Sequence, residues 1–121
     1  MMNHVDASGK PLGIELFLFP FEDCDAESLK RVAQPIFLPK APRREGKSAA
    51  RMRSYWAGRA ALAVAFKRLG IEAYVQPEPN YGYLQSVDSH GNSLPNLYVN
   101  LSHTESIVAV VVGPCPVGVD I

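Results

Sequence analysis

The sequence has few of the features, such as paired cysteines, an excess of one charge or a long apolar run, that identify a particular class of protein. Its 121 residues contain two cysteines, Cys24 and Cys115, which lie far apart and form no CxxC pair. The formal net charge is zero, so no overall field favours nucleic acid or an anionic membrane. The apolar run 107–112 has the length of a strand and is too short to span a bilayer, and residues 1–6 lack the basic and apolar regions of a secretory signal. We therefore expect a cytoplasmic protein with free or buried thiols and with neither nucleic acid nor membrane as a partner.

Apolar patterning predicts a small mixed domain. Hydrophobic residues make up 47% of the chain and charged residues 20%, a composition that can bury a core. Strands are expected where short apolar runs end at turn residues, at 13–19, 72–76, 97–101, 107–112 and 117–121. The turns of the last three would be 102–105 and 113–116.

Two helices are expected before the strand-rich half of the chain. Asp25 is placed to cap a short helix that runs through Gln34. Apolar residues spaced by three and four predict a long helix over 47–69, ended by Gly70. Between them Pro35, Pro39 and Pro42 predict an extended linker, and 77–95 is interpreted as a long loop. We expect one α+β domain over 1–121, in which one long helix packs on a small antiparallel sheet.

Positive charge is concentrated around the start of the long helix. Seven of the twelve basic residues fall there: Lys40, Arg43, Arg44, Lys47, Arg51, Arg53 and Arg59. A helix N-terminus attracts anions, and clustered arginines offer bidentate donors to phosphate. A solvated helix face behind a basic linker explains the same pattern.

Arg59 stands out because it interrupts the apolar series of the helix, which is Met52, Tyr55, Leu62, Phe66 and Leu69. A cation in such a stripe needs a counter-charge, an escape to the edge or a ligand cleft. The neighbouring Gly58 costs roughly 1 kcal/mol relative to alanine in a helix, which suggests that another backbone or a ligand approaches closely at that point. The pair is interpreted either as facing a ligand or as simple packing.

Two further groups carry polar side chains near strand ends. Ser102 and His103 offer donors for a phosphate oxygen, or form a polar hairpin turn. A hydrolase is disfavoured because adjacent strand residues point to opposite faces. Asp120, flanked by apolar residues, offers a carboxylate for a hard cation such as Mg²⁺, although a metal site needs a second carboxylate nearby.

Taken in order, these segments resemble one family. They are Gly58-Arg59-Ala60-Ala61-Leu62, Asn100-Leu101-Ser102-His103-Thr104 and Val117-Gly118-Val119-Asp120-Ile121. The series is similar to the two-domain, surfactin-synthetase-activating type of 4′-phosphopantetheinyl transferase, and covers roughly 51–121. The resemblance implies half of a pseudodimeric fold that transfers phosphopantetheine from coenzyme A to a serine of an acyl or peptidyl carrier protein.

The resemblance also assigns roles to residues. Arg59 and Arg53 would contact the 3′-phosphate of coenzyme A, and Ser102 and His103 would lie against the nucleotide and pyrophosphate. Asp120 would ligate Mg²⁺. His103 and Asp120 are thus the residues expected to act in catalysis.

The sequence departs from the family in three places. It lacks the second metal carboxylate after Asp120, the Trp/Phe-x-x-Lys-Glu region, and the basic residue usual before the Ser-His turn. We therefore expect the chain alone to be inactive and to need a C-terminal half, from the same gene or a separate chain, or self-association. Its uncovered apolar surface is expected at Tyr98, Val108, Val110 and Val119. The alternative is a catalytically incomplete nucleotide-binding or protein-interaction module.

Overall fold

The computed structural model describes residues 13–38, 49–76 and 84–121. Its elements are, in order, β1 Glu15–Pro20, α1 Ala26–Ala33, a 3₁₀ turn Gln34–Ile36, α2 Ala49–Leu69, β2 Tyr74–Gln76, β3 Gln85–Val87, β4 Tyr98–His103 and β5 Ile107–Gly113. The architecture is α+β with small antiparallel sheets, as the apolar patterning predicted. No helix in these three ranges is long and apolar enough to cross a membrane.

The main sheet has β5 at its centre. Its strand order is β1-β5-β4, both pairs are antiparallel, and Val110 of β5 lies between Phe17 and Leu101. Helix α2 covers one face of this sheet and buries Val108, Val110 and Val112 completely. The expectation that Val108 and Val110 are exposed was therefore wrong, because the helix covers the face to which they belong.

Helix α2 ends where the sequence predicted. Gly70 has φ 69°, a conformation that costs glycine little, and the amide of Ile71 reaches back to the carbonyl of Phe66 at 2.9 Å. The buried face includes Leu62, Phe66 and Leu69, as expected. The same helix buries Trp56 and four alanines: Ala57, Ala60, Ala61 and Ala65. Small side chains let the helix lie close to the sheet on one side and to α1 on the other.

Helix α1 is capped by the predicted residue. Asp25 Oδ1 accepts a hydrogen bond from the Ser28 amide at 2.7 Å, and this bond lowers the pKa of the Asp25 carboxyl. The helix continues into the 3₁₀ turn at Gln34, so Pro35 belongs to a turn and not to the expected linker. Proline is accepted there because the first residues of a helix need no donor. Pro39 and Pro42 lie outside the described residues.

Three further expectations need correction. Residues 85–87, taken as loop, form β3 and pair with β2, while 77–83 lie outside the described residues. Ser102 and His103 belong to β4, and the turn follows at Thr104, whose Oγ1 accepts from the amides of Ser106 and Ile107. Residues 117–121 form no strand, since they are held by side chains of β4 and not by a backbone ladder.

The uncovered apolar surface lies mainly on β1. Leu16 and Leu18 are 59% and 60% exposed and share one face of that strand, and Ile14, which immediately precedes the strand, is 63% exposed. Of the residues expected there, Tyr98 is 42% exposed and Val119 is half-buried. The helix lies on the other face of the sheet, so these side chains remain in solvent.

Candidate functional site

The contact between α2 and β4 brings together two of the segments that carry the family resemblance. A Cβ atom added at Gly58 would lie 3.2 Å from Leu101 Cδ1 and 3.4 Å from its Cδ2. Only a residue without a side chain fits here without displacing the leucine. The structure does show a close approach at Gly58, but its partner is a side chain of β4, and neither a backbone nor a ligand, which agrees with the packing interpretation.

Arg59 is held inside the protein at the next position of α2. It is 9% exposed, and its guanidinium carbon lies 4.1 Å from the centre of the Tyr55 ring. A guanidinium over an aromatic face is attracted by the negative face of the ring, more strongly when water is excluded. Arg59 thus places a largely buried positive charge against Tyr55, at the helix position that follows Gly58.

Arg53 has a different environment, one turn and a half earlier in the helix. Its Nε donates to the carbonyl of Cys24 at 2.9 Å, and its Nη2 donates to the carbonyls of Phe21 and Glu22 at 2.6 and 2.7 Å. Its guanidinium also lies 4.9 Å from the centre of the Phe21 ring. These donors fix the turn that joins β1 to α1.

Ser102 and His103 lie on opposite faces of β4, as their adjacency predicted. His103 is paired with Val108, which faces the helix, so its side chain belongs to the helix face at the exposed end of the strand. Its Nδ1 lies 3.2 Å from the carbonyl oxygen of Thr104. Ser102 is paired with Ala109 and belongs to the other face.

The C-terminal segment lies along β4 on the face of Ser102. Asn100 Nδ2 donates to the carbonyl of Val117 at 3.3 Å, and the amide of Ile121 donates to Ser102 Oγ at 3.3 Å. These two bonds place Asp120, whose side chain is exposed, next in the chain to a residue bonded to Ser102. The third segment of the resemblance therefore also meets β4.

The predicted site residues do not all meet at one place. His103 belongs to the helix side of β4, and Ser102 lies on the opposite side beside the segment that carries Asp120. Arg59 lies in α2 against Tyr55, and Arg53 lies at the β1–α1 turn. Among the described residues no three histidine, cysteine or acidic side chains cluster as metal ligands would. The exposed carboxylate of Asp120 could serve a cation that takes few protein oxygens.

Sequence reasoning missed Asn100. This residue uses both ends of its amide, since Oδ1 accepts from the amide of Leu101 at 2.8 Å while Nδ2 holds Val117. The available signal was a polar side chain between the apolar residues Val99 and Leu101. Asn100 is exposed, so the sequence does not indicate that its amide has partners within the protein.

Comparison with known proteins adds no further assignment. No family model matches the chain, and no curated protein shows a significant match to it.

Proposed function

We propose that this chain is the coenzyme A-binding half of a 4′-phosphopantetheinyl transferase, which transfers phosphopantetheine to a serine of an acyl or peptidyl carrier protein. One observation carries the proposal. The three segments that resemble the family are far apart in sequence, yet two of them meet the third at β4, through the Gly58–Leu101 contact and the Ile121–Ser102 hydrogen bond.

Arg59 supports binding of the 3′-phosphate of coenzyme A. A charge that is 9% exposed acts through a lower dielectric than a solvated one, so it attracts an anion at the protein edge more strongly. Arg53 is the weaker candidate because three of its hydrogen bonds go to backbone carbonyls. We assign it the role of fixing the turn at 21–24.

Asp120 is the residue that would hold Mg²⁺, with the pyrophosphate of coenzyme A and water as the other ligands. Bound there, the ion would offset the negative charge that develops on the pyrophosphate during transfer. Ser102 and His103 would orient the nucleotide from the two faces of β4. The general base and a second carboxylate would come from a C-terminal half, which would pack on the apolar face of Ile14, Leu16 and Leu18.

Calorimetric titration of coenzyme A with Mg²⁺ tests this function. We expect Arg59→Met, which keeps the apolar stem of the side chain, to weaken binding roughly tenfold, the value of one charge-assisted hydrogen bond. Lys67→Met, in the exposed last turn of the same helix, is the matched control and should change nothing. In addition, 3′-dephospho-coenzyme A should bind the wild type as weakly as coenzyme A binds the Arg59 variant.

A second titration includes the C-terminal half of a two-domain transferase. Coenzyme A binding that appears or tightens with this half supports the proposal. Failure of the wild type to bind in both titrations refutes it. Turnover by the 121-residue chain alone would contradict the assignment of the base and second carboxylate to another half.

A catalytically incomplete nucleotide-binding or protein-interaction module is the second candidate. It is favoured by the lack of a cluster of three or more histidine, cysteine or acidic side chains among the described residues, of the kind that could hold a metal ion. The two functions differ in their dependence on metal. Coenzyme A binding that is unchanged by chelator and by Asp120→Asn favours the module.

A further inference from the structure

The outer edge of β1 is open to another strand. β1 pairs only with β5 among the described strands, so its alternate amides and carbonyls point away from the sheet. Edges of this kind are usually protected by lysine, proline or a bulge. The strand ends in Pro20, but from Glu15 to Phe19 it carries neither lysine nor proline and its register with β5 has no bulge; its one charged residue is Glu15.

The edge is also apolar on its uncovered face. Ile14, Leu16 and Leu18 are about 60% exposed and carry no charge. On the opposite face Phe17 and Phe19 are half-buried, with ring centres 6.0 Å apart. A strand of the same alternating pattern would match both faces of this edge.

Charge decides which strand fits. The guanidinium of Arg68, an exposed residue of the last turn of α2, lies 5.2 Å from the centre of the Phe19 ring. A strand that pairs with β1 therefore comes close to a positive charge at Phe19, and a carboxylate opposite Phe19 would interact favourably with it. When two β1 strands pair antiparallel with Phe17 opposite Phe17, Glu15 of one copy is the residue opposite Phe19 of the other.

We propose that two copies of this chain pair through the edge of β1, antiparallel and centred on Phe17. In this register Leu16 lies opposite Leu18 of the second copy, and Glu15 lies opposite Phe19 beside Arg68. The twofold axis repeats each contact, so two Glu15–Arg68 ion pairs flank the central phenylalanines. A shift of two residues in either direction places Glu15 opposite Phe17 or Phe21 and away from Arg68.

The pairing joins two three-stranded sheets into one of six strands and leaves β4, at the far edge of each sheet, uncovered. It does not depend on coenzyme A binding. The occupant is a second copy because Glu15 of β1 supplies the carboxylate, and Arg68 of α2, beside Phe19, supplies the cation, at positions that match when two copies pair.

Sedimentation velocity of the 121-residue chain, from micromolar to millimolar concentration, tests the pairing. We expect a monomer–dimer equilibrium. Glu15→Arg or Arg68→Glu alone should raise the dissociation constant roughly tenfold, because two exposed ion pairs become two like-charge pairs. The double variant should restore it to within about threefold of the wild type, since the pairs re-form with exchanged sign.

Two further variants distinguish dimerisation through the edge of β1 from a general effect of added surface charge. Leu18→Lys, at a solvent-exposed position of β1, should abolish the dimer, whereas Val32→Lys, 46% exposed on α1, should leave it unchanged. Hydrogen exchange should show protection of β1 amides that rises with protein concentration. A wild type that stays monomeric throughout, or a double variant as weak as the singles, overturns the proposal.

Discussion

Replacement of Gly58 by alanine measures how closely α2 packs on β4. Alanine in a helix interior gains about 1 kcal/mol over glycine. The added Cβ would lie 3.2 and 3.4 Å from the two methyl carbons of Leu101, closer than the ordinary contact distance of about 3.5–4.0 Å. Leu101 is half-buried and can move by a few tenths of an ångström at a cost of about 1 kcal/mol. We therefore expect Gly58→Ala to change the free energy of unfolding by less than about 1 kcal/mol, because the two terms offset.

The gain in helix propensity and the cost of the contact with Leu101 can be measured separately when Leu101 is shortened. Leu101→Ala should itself destabilise the protein by about 2 kcal/mol, because it removes half-buried methyl groups. In that background the Cβ of alanine 58 meets no leucine methyl, so Gly58→Ala should stabilise by about 1 kcal/mol, the full helix-propensity gain. The coupling between the two positions is then about 1 kcal/mol.

Urea unfolding followed by the fluorescence of Trp56 is the assay. This residue is the one tryptophan of the chain and is 5% exposed, so its emission reports the core. Ala63→Gly is the matched control, because it makes the reverse change elsewhere in α2 and should cost about 1 kcal/mol in both backgrounds. The reasoning fails if Gly58→Ala has the same effect with and without Leu101, or destabilises the wild type by more than about 2 kcal/mol.

Three further predictions concern single side chains. Arg53→Lys should lower the free energy of unfolding by about 1–3 kcal/mol, since lysine cannot reproduce three bonds to backbone carbonyls, while Lys67→Ala should shift the urea midpoint negligibly. Asp25→Ala should lower the urea midpoint at neutral pH. Because its folded-state pKa is lowered, the stabilisation by Asp25 is present above the ordinary pKa of a carboxyl and is lost as the pH falls, so wild type and variant should converge in acid. Ser102→Ala should accelerate amide hydrogen exchange at Ile121, measured by NMR, because the acceptor of that amide is lost; an unchanged rate contradicts the bond.

The parts of the fold that the sequence predicted are those specified by local signals. Gly70 stops α2 and Asp25 caps α1 through bonds within a few residues, so composition and spacing were sufficient. The apolar run of β5 also predicted a strand correctly. β3 was missed because its three residues lie in a stretch rich in turn formers, and their strand character comes from pairing with β2.

Exposure was harder to predict than secondary structure. The alternation in β5 shows that Val108 and Val110 share a face, but not which face α2 covers. Likewise, 117–121 has the alternation of a strand, yet its observed bonds go to the side chains of Asn100 and Ser102. Both errors concern long-range contacts, which local patterning does not specify.

The candidate site was predictable in its components and not in its arrangement. The alternation of side chains correctly separated Ser102 from His103, and the position of Gly58 within the helix correctly predicted a close approach. The role of Arg53 in holding the 21–24 turn was not predictable. The sequence around a helical arginine does not distinguish one that binds a ligand from one that donates to the carbonyl of a residue distant in the chain.

The arrangement has a physical consequence for any ligand that binds at β4. This strand is at an edge of the main sheet, where β5 is its only strand partner within that sheet. The position of β4 therefore depends on the groups that contact its two faces. Gly58 contacts one face, and the backbone of Val117 and Ile121 is bonded to the other. A ligand that reaches both Arg59 and Asp120 would contact the helix that packs on one face of this strand and the segment that is bonded to its other face. Binding should consequently depend on packing at Gly58 even though glycine offers no side chain to a ligand, and a loss of affinity in Gly58→Ala that Leu101→Ala relieves would identify β4 as the connection.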